Sequence, residues 1–298
     1  MTAAAPGPEP ADLHERVLAW WHVHARDLPW RRPGTTAWEV FVSEVMSQQT
    51  PIARVLPAWQ AWLQRWPTPA DLAADTPGEA VRRWQRLGYP RRARRLWEAA
   101  VAMVERHEGR VPHRPEDLLA LPGVGGYTAA AVASFAFGDP QVVIDTNVRR
   151  VLVRCRIGEG QAAPALTAAE RVLAETSMPT EVAAANTWNA AVMELGALVC
   201  TARAPRCEDC PLQDVCAWHL AGRPAYDGPT RPAQRWHGTD RQARGALLAV
   251  LRDHDEGAVP PSLLAAAWSD PVQRDRALGG LVEDGLVEPV AGGYALPG

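Results

Sequence analysis

Apolar residues recur at helical spacing through most of the first 240 positions, interrupted by short stretches rich in Gly and Pro. Leu13, Val17, Leu18 and Trp21 share one side of a predicted helix from Ala11 to Trp21, which Asp27-Leu-Pro-Trp-Arg31 stops. A second predicted helix runs from Ala37 to Gln49. Its Phe41, Val42, Val45 and Met46 make a wide apolar face, and Glu44 and Gln48 stand one turn apart on a common side. The same periodicity predicts helices over 52–65, 78–86, 92–107, 115–120, 127–137, 147–155, 166–176 and 187–199, and few strand signals precede residue 240. After a Gly-, Pro-, Arg- and Thr-rich linker over 223–240, helices near 241–252, 260–267 and 271–284 lead to Leu286–Val290, a Gly292-Gly293 turn and Tyr294-Ala-Leu296. Three helices and a hairpin predict a small winged-helix-like domain, and the fold class is mainly α.

Between two of these helices lies Leu121-Pro-Gly-Val-Gly-Gly-Tyr-Thr-Ala-Ala-Ala131, followed by Asp145-Thr-Asn-Val-Arg149. Pro115 suits the first turn of a helix, and Gly123, Gly125 and Gly126 allow backbone geometry closed to other residues. A glycine turn ahead of a helix starting at Tyr127 presents N–H donors and a positive helix end, which suit a phosphate without reading sequence. Asp145 is also a good helix N-cap.

Cys200, Cys207, Cys210 and Cys216 form a C-x6-C-x2-C-x5-C pattern, close enough to converge on one soft metal centre. The chain carries no signal-peptide pattern, and an apolar core of this size needs no disulfide staples. Zinc competes with a four-iron cluster. Zinc sites usually pair two C-x2-C-like knuckles, whereas one short C-x2-C flanked by single cysteines suits a cubane better. Cys155 is left over and reads as a buried thiol.

At 298 residues, with 47% hydrophobic content, the chain has room for two domains and their cores, and no apolar run reaches membrane-spanning length. The net charge of −3 does not suggest a nucleic-acid partner, but its distribution is uneven. Residues 82–95 hold seven arginines and no acid, a local patch suited to the DNA backbone, whereas residues 241–298 carry five arginines against eight acids. Leu87-Gly88-Tyr89-Pro90 interrupts the patch with a turn whose ring is a candidate wedge for a base stack. All 31 basic residues are arginine. Without lysine, no side-chain amine can form a Schiff base.

Glu44-Val-Met-Ser-Gln-Gln-Thr50, the Leu-Pro-Gly-Val-Gly hairpin, Asp145 and the four-cysteine loop together resemble the helix-hairpin-helix DNA glycosylases of the endonuclease III superfamily, with MutY-type adenine glycosylases the nearest match. The resemblance spans residues 11–220. It implies two helical lobes with duplex DNA between them: a cluster lobe from 1–28 and 138–222, and a six-helix barrel lobe from 29–137. The linker and the C-terminal domain over 241–298 would follow. It also implies a 4Fe-4S cluster on Cys200, Cys207, Cys210 and Cys216, and removal of adenine mispaired with 8-oxoguanine or guanine by a monomer working on DNA in the cytoplasm.

Strand-cutting relatives carry lysine where this chain has Tyr127, so the resemblance implies base removal without lyase chemistry. Glu44, desolvated among apolar neighbours, would protonate the leaving adenine; Asp145 would remain ionised and face the cationic sugar. Tyr127 and Asn147 would order Asp145. Gln48 and Gln49 would approach the opened base pair, with Tyr89, Arg91, Gly123, Gly125, Gly126, Arg203 and Arg206 as further DNA contacts. The chain departs from the family in having Pro90 where a second tyrosine is usual, and in lacking a Nudix-like C-terminal domain. A thymine-mismatch glycosylase also carries tyrosine at the position of Tyr127 and is the enzymatic alternative. A non-enzymatic iron-sulfur regulator is the alternative from another class, but it would want a basic recognition helix, and 271–284 has two arginines against three acids.

Overall fold

The computed structural model describes residues 9–229, 236–254 and 257–298; positions 230–235 of the expected linker lie outside them. In chain order the α-helices are α1 (Pro10–His24), α2 (Ala37–Ser47), α3 (Ile52–Arg65), α4 (Pro69–Ala73), α5 (Pro77–Arg83), α6 (Arg91–Arg106), α7 (Pro115–Leu119) and α8 (Gly126–Phe137). They continue as α9 (Thr146–Leu152), α10 (Ala168–Thr176), α11 (Val182–Leu198), α12 (Ala217–Leu220), α13 (Asp240–Asp253), α14 (Pro261–Ala267) and α15 (Pro271–Glu283). A hairpin of β1 (Glu288–Val290) and β2 (Gly293–Ala295) pairs antiparallel, with Pro289 opposite Tyr294. The chain divides into two compact units, 1–35 with 126–232 and 36–125 with 233–298.

In the first unit α1 lies on α11. Leu13, Val17 and Trp20 recur at helical spacing and meet Trp188, Val192 and Leu195, with Val148 and Val151 of α9 completing the same core. Glu194 of α11 is 1% exposed and binds the chain just beyond α1: the Arg26 amide at 3.1 Å, Arg26 Nε at 2.6 Å and Arg31 Nη2 at 3.1 Å. Burial is the largest single effect on its carboxyl, but the two cations together outweigh it and hold the group at about 2.

The second unit is built on tryptophan. Trp62 meets Trp66 and Trp84 edge-on with centroids 4.5 and 5.7 Å apart, and Trp38 donates to Trp66 O at 3.0 Å. Helix starts are fixed by side-chain caps, including reciprocal Thr36/Glu39 and Thr68/Asp71 boxes.

Helices α13–α15, the hairpin and a bridge between Val259 and Tyr294 form the winged-helix-like element. It packs on α5 and α6: Gly78 N donates to Pro297 O at 2.8 Å, in a contact where a Cβ on Gly78 would meet that oxygen at 2.3 Å. Arg82 donates to the carbonyls of Arg252 and His254, and Arg94 Nη1 to Asp284 O at 2.7 Å. The arginine patch expected to form one DNA face is therefore divided. Arg82, Arg91 and Arg94 hold the acidic C-terminal element, and Arg92 points inward. Arg91 pairs there with the opposite charge of Asp284, whereas Arg82 and Arg94 satisfy backbone carbonyls.

Candidate active site and cluster loop

Asp145 caps α9. Its Oδ1 accepts from the amides of Asn147 and Val148 at 2.8 and 2.7 Å, and its Oδ2 accepts from Asn147 Nδ2 at 2.7 Å. Burial pushes this carboxyl above the ordinary aspartate value, while the three N–H donors and nearby Arg150 pull the other way. Both oxygens accept N–H bonds, an arrangement that suits the carboxylate form.

Asn147 is held in turn. Arg150 Nη2 donates to Asn147 Oδ1 at 2.7 Å and to Gly196 O at 2.7 Å, while Arg150 Nε donates to Cys200 O at 2.6 Å. Asp145, Asn147, Arg150 and the first cysteine of the loop thus form one hydrogen-bonded chain. Sequence reasoning missed Arg150; its place one turn after Asn147 was the available signal. Close approach of α11 makes the chain possible, because a Cβ on Gly196 would lie 2.6 Å from Asn147 Cβ and 3.1 Å from its Cα. Gly196→Ala is expected to force α9 and α11 apart and cost about 1–3 kcal/mol, measurable as a lower thermal midpoint. Tyr127 lies half-buried in the first turn of α8.

The cysteines follow. Cys200, Cys207, Cys210 and Cys216 all line one small pocket. Arg154, in a π-helical turn over Val153–Ile157, donates to Cys200 Sγ at 3.4 Å and stacks 4.5 Å over Trp218. Burial pushes the Cys210 thiol up to about 12 and raises Cys207 as well, so these sulfurs resist ionisation without a cation. A cationic metal core relieves that cost, and convergent soft ligands with N–H donors around them fit an iron-sulfur cluster. Cys155 is 2% exposed, as expected of a buried thiol. Arg203 and Arg206 are exposed on the loop, and Arg206 also donates to Leu198 O at 2.9 Å.

Glu44 belongs to the other unit. It is 8% exposed on α2, in a run of buried residues from Val40 to Met46. The helix ends at Ser47, so Gln48 and Gln49 leave it rather than continuing the face that holds Glu44; Gln49 has φ 53°. The cause is Arg92. Its Nη1 donates to the carbonyls of Val45, Met46 and Gln48 at 2.9, 3.2 and 2.6 Å, taking the place of a further helical turn. Its Nη2 reaches Thr50 Oγ1 and Gly88 O. In the hairpin, Gly123 has φ 77° and a Cβ there would meet Arg95 Cβ at 2.6 Å, whereas Gly125 and Gly126 face open space.

Residues 42–176 match the HhH-GPD superfamily base excision DNA repair protein family, and residues 200–216 match the iron-sulfur binding domain of endonuclease III. The adenine DNA glycosylase of Mycolicibacterium smegmatis is 51% identical over 283 residues, covering 95% of each chain. The chain belongs to the adenine DNA glycosylase family. The Mycobacterium tuberculosis member of that family is 48% identical over 299 residues, covering 98% of this chain and 97% of its own. Among solved structures, a thermostable thymine-DNA glycosylase covers 71% of this chain and 97% of its own at 26% identity and TM-score 0.62. The family's helix-hairpin-helix fold is thus present, and the match at 200–216 makes a 4Fe-4S cluster its cofactor, with the four cysteines as the residues that would hold it.

Proposed function

We propose that this chain, acting as a monomer on duplex DNA, removes adenine mispaired with 8-oxoguanine or guanine by hydrolysing the N-glycosidic bond. The observation that carries the reading is the capped Asp145 carboxylate, ordered through Asn147 and Arg150, in a chain similar over 95% of its length to an adenine DNA glycosylase. Bond rupture leaves an oxocarbenium-like sugar and a purine that must gain a proton. Asp145 stabilises the positive sugar. Glu44, 8% exposed on α2, donates the proton.

Tyr127 orders Asp145, and Gln48 and Gln49 contact the opened pair. Backbone donors at Gly123, Gly125 and Gly126, with Arg203 and Arg206, take the phosphates, while Arg91 pairs with Asp284 instead. The cluster supports the loop that carries the last two arginines. No lysine is present to form a Schiff base, so the strand remains intact after base release.

The thymine reading, raised by Tyr127, is matched by a structure sharing 26% identity, against 51% for the adenine relative. Duplexes with A opposite 8-oxoguanine, A opposite G and T opposite G, treated with alkali after incubation, distinguish the two. Alkali-labile sites from the adenine duplexes alone are expected. Cleavage of the thymine duplex alone, or of none, overturns the proposal.

A further inference from the structure

The last carbonyls of an α-helix have no partner within the helix, and at a protein surface water usually serves them. At the end of α2 a half-buried guanidinium serves them instead. Arg92 Nη1 binds the carbonyls of Val45, Met46 and Gln48, and its Nη2 reaches Thr50 Oγ1 at 3.0 Å and Gly88 O at 3.2 Å. Thr50 is 7% exposed, and its hydroxyl lies 3.1 Å from Gln48 O and 3.3 Å from Leu87 O. One side chain of α6 therefore ties together the end of α2, the turn that follows it and the chain between α5 and α6.

The surroundings hold that side chain in turn. The rings of Trp84 and Tyr89 lie with centroids 5.3 and 5.4 Å from its central carbon. Burial lowers the guanidinium to about 10, which leaves it charged at neutral pH and well matched to the negative end of a helix. The turn it holds is a strained one, because Gln49 has φ 53°, a region that a residue with a side chain enters only at a cost. Water would satisfy the same carbonyls but leave them free to move. A planar fork with fixed donor directions does not.

Glu44 precedes the bound carbonyls by a single turn of helix, and Gln48 and Gln49 lie at and just beyond them. We propose that Arg92 is a positioning residue for base excision: it fixes the end of α2 and the Gln48-Gln49 turn in advance, so that the reacting complex need not order them. The inference rests on the roles proposed above for Glu44, Gln48 and Gln49. Arg92 acts through those residues and makes no contact with the substrate in this role. Preorganisation of this kind raises the rate of the committed complex and leaves its formation nearly unchanged.

The test uses the full chain and the duplex with A opposite 8-oxoguanine, well below the melting midpoint of each variant. Single-turnover excision is followed against protein concentration, which separates the limiting rate from the half-saturating concentration. Arg92→Ala is expected to lower the limiting rate about thirtyfold and Arg92→Lys about tenfold, with half-saturation shifted less than about threefold. Guanidinium ion, added far below denaturing concentrations, should restore Arg92→Ala about fivefold or more and leave Arg92→Lys and wild type unchanged. Thr50→Val, which removes one partner of the fork, should lower the rate about threefold. If Arg92→Ala does not fold, Arg92→Lys and Thr50→Val decide. A limiting rate within twofold of wild type in Arg92→Lys overturns the proposal, whether or not its melting midpoint falls, since a residue serving only the fold behaves in that way. A shift in half-saturation as large as the loss in rate, the mark of a DNA contact, overturns it too, as does a folded Arg92→Ala that guanidinium does not restore. Absence of adenine release by the wild-type protein defeats the excision reading itself, and this role with it.

Discussion

Asp145→Asn is expected to lower single-turnover adenine excision by at least about 10³-fold while leaving duplex binding nearly intact. The asparagine oxygen can retain the two amide bonds that cap α9, so the thermal midpoint should fall by only a few degrees, corresponding to about 1 kcal/mol. Its amide nitrogen, however, meets Asn147 Nδ2 donor to donor. Relief requires Asn147 to turn its amide, which then confronts Arg150 with another donor. The substitution thus removes the charge opposite the cationic sugar and unsettles the groups that aim it. The pH dependence follows from the same surroundings. Burial raises this carboxyl, so its protonation on acidification sets in above the ordinary value of 3.8, and the acid limb of the rate should lie correspondingly high.

Glu44→Gln is the second large effect, an expected loss of about 10²–10⁴ in the same rate. Glutamine fills the same space but has no acidic proton to give. Glutamine conserves the side-chain volume of this 8% exposed position, so the fold should be retained. Loss of excision with retained melting marks a chemical role; equal loss of both would make Glu44 a packing residue.

Periodicity located the long helices because each turns an apolar stripe inward, as Leu13, Val17 and Trp20 do. The short ones escaped it. Helix α4 has five residues, too few to display a period, although its Thr68/Asp71 capping box stands in the sequence. Helix α11 begins at Val182 rather than 187 because Glu181 caps a stretch of small residues with no apolar rhythm. In the site, Asp145 and Asn147 could be read because they are neighbours in sequence. Arg92 could not, since its role depends on carbonyl groups brought near only by folding, and Arg150, one turn after Asn147, offered only the local half of its role. The arginine patch misled for a related reason: its acidic counterpart, Asp284, lies almost two hundred residues along the chain from Arg91.

The most direct test is to incubate the full chain with an A opposite 8-oxoguanine duplex and identify the released base by mass spectrometry, with borohydride present in a parallel reaction. Free adenine, a strand cut only by alkali and no trapped protein–DNA adduct are the expected results. A borohydride-trapped adduct, strand cutting without alkali, or no free adenine would contradict hydrolysis by an acid and a carboxylate.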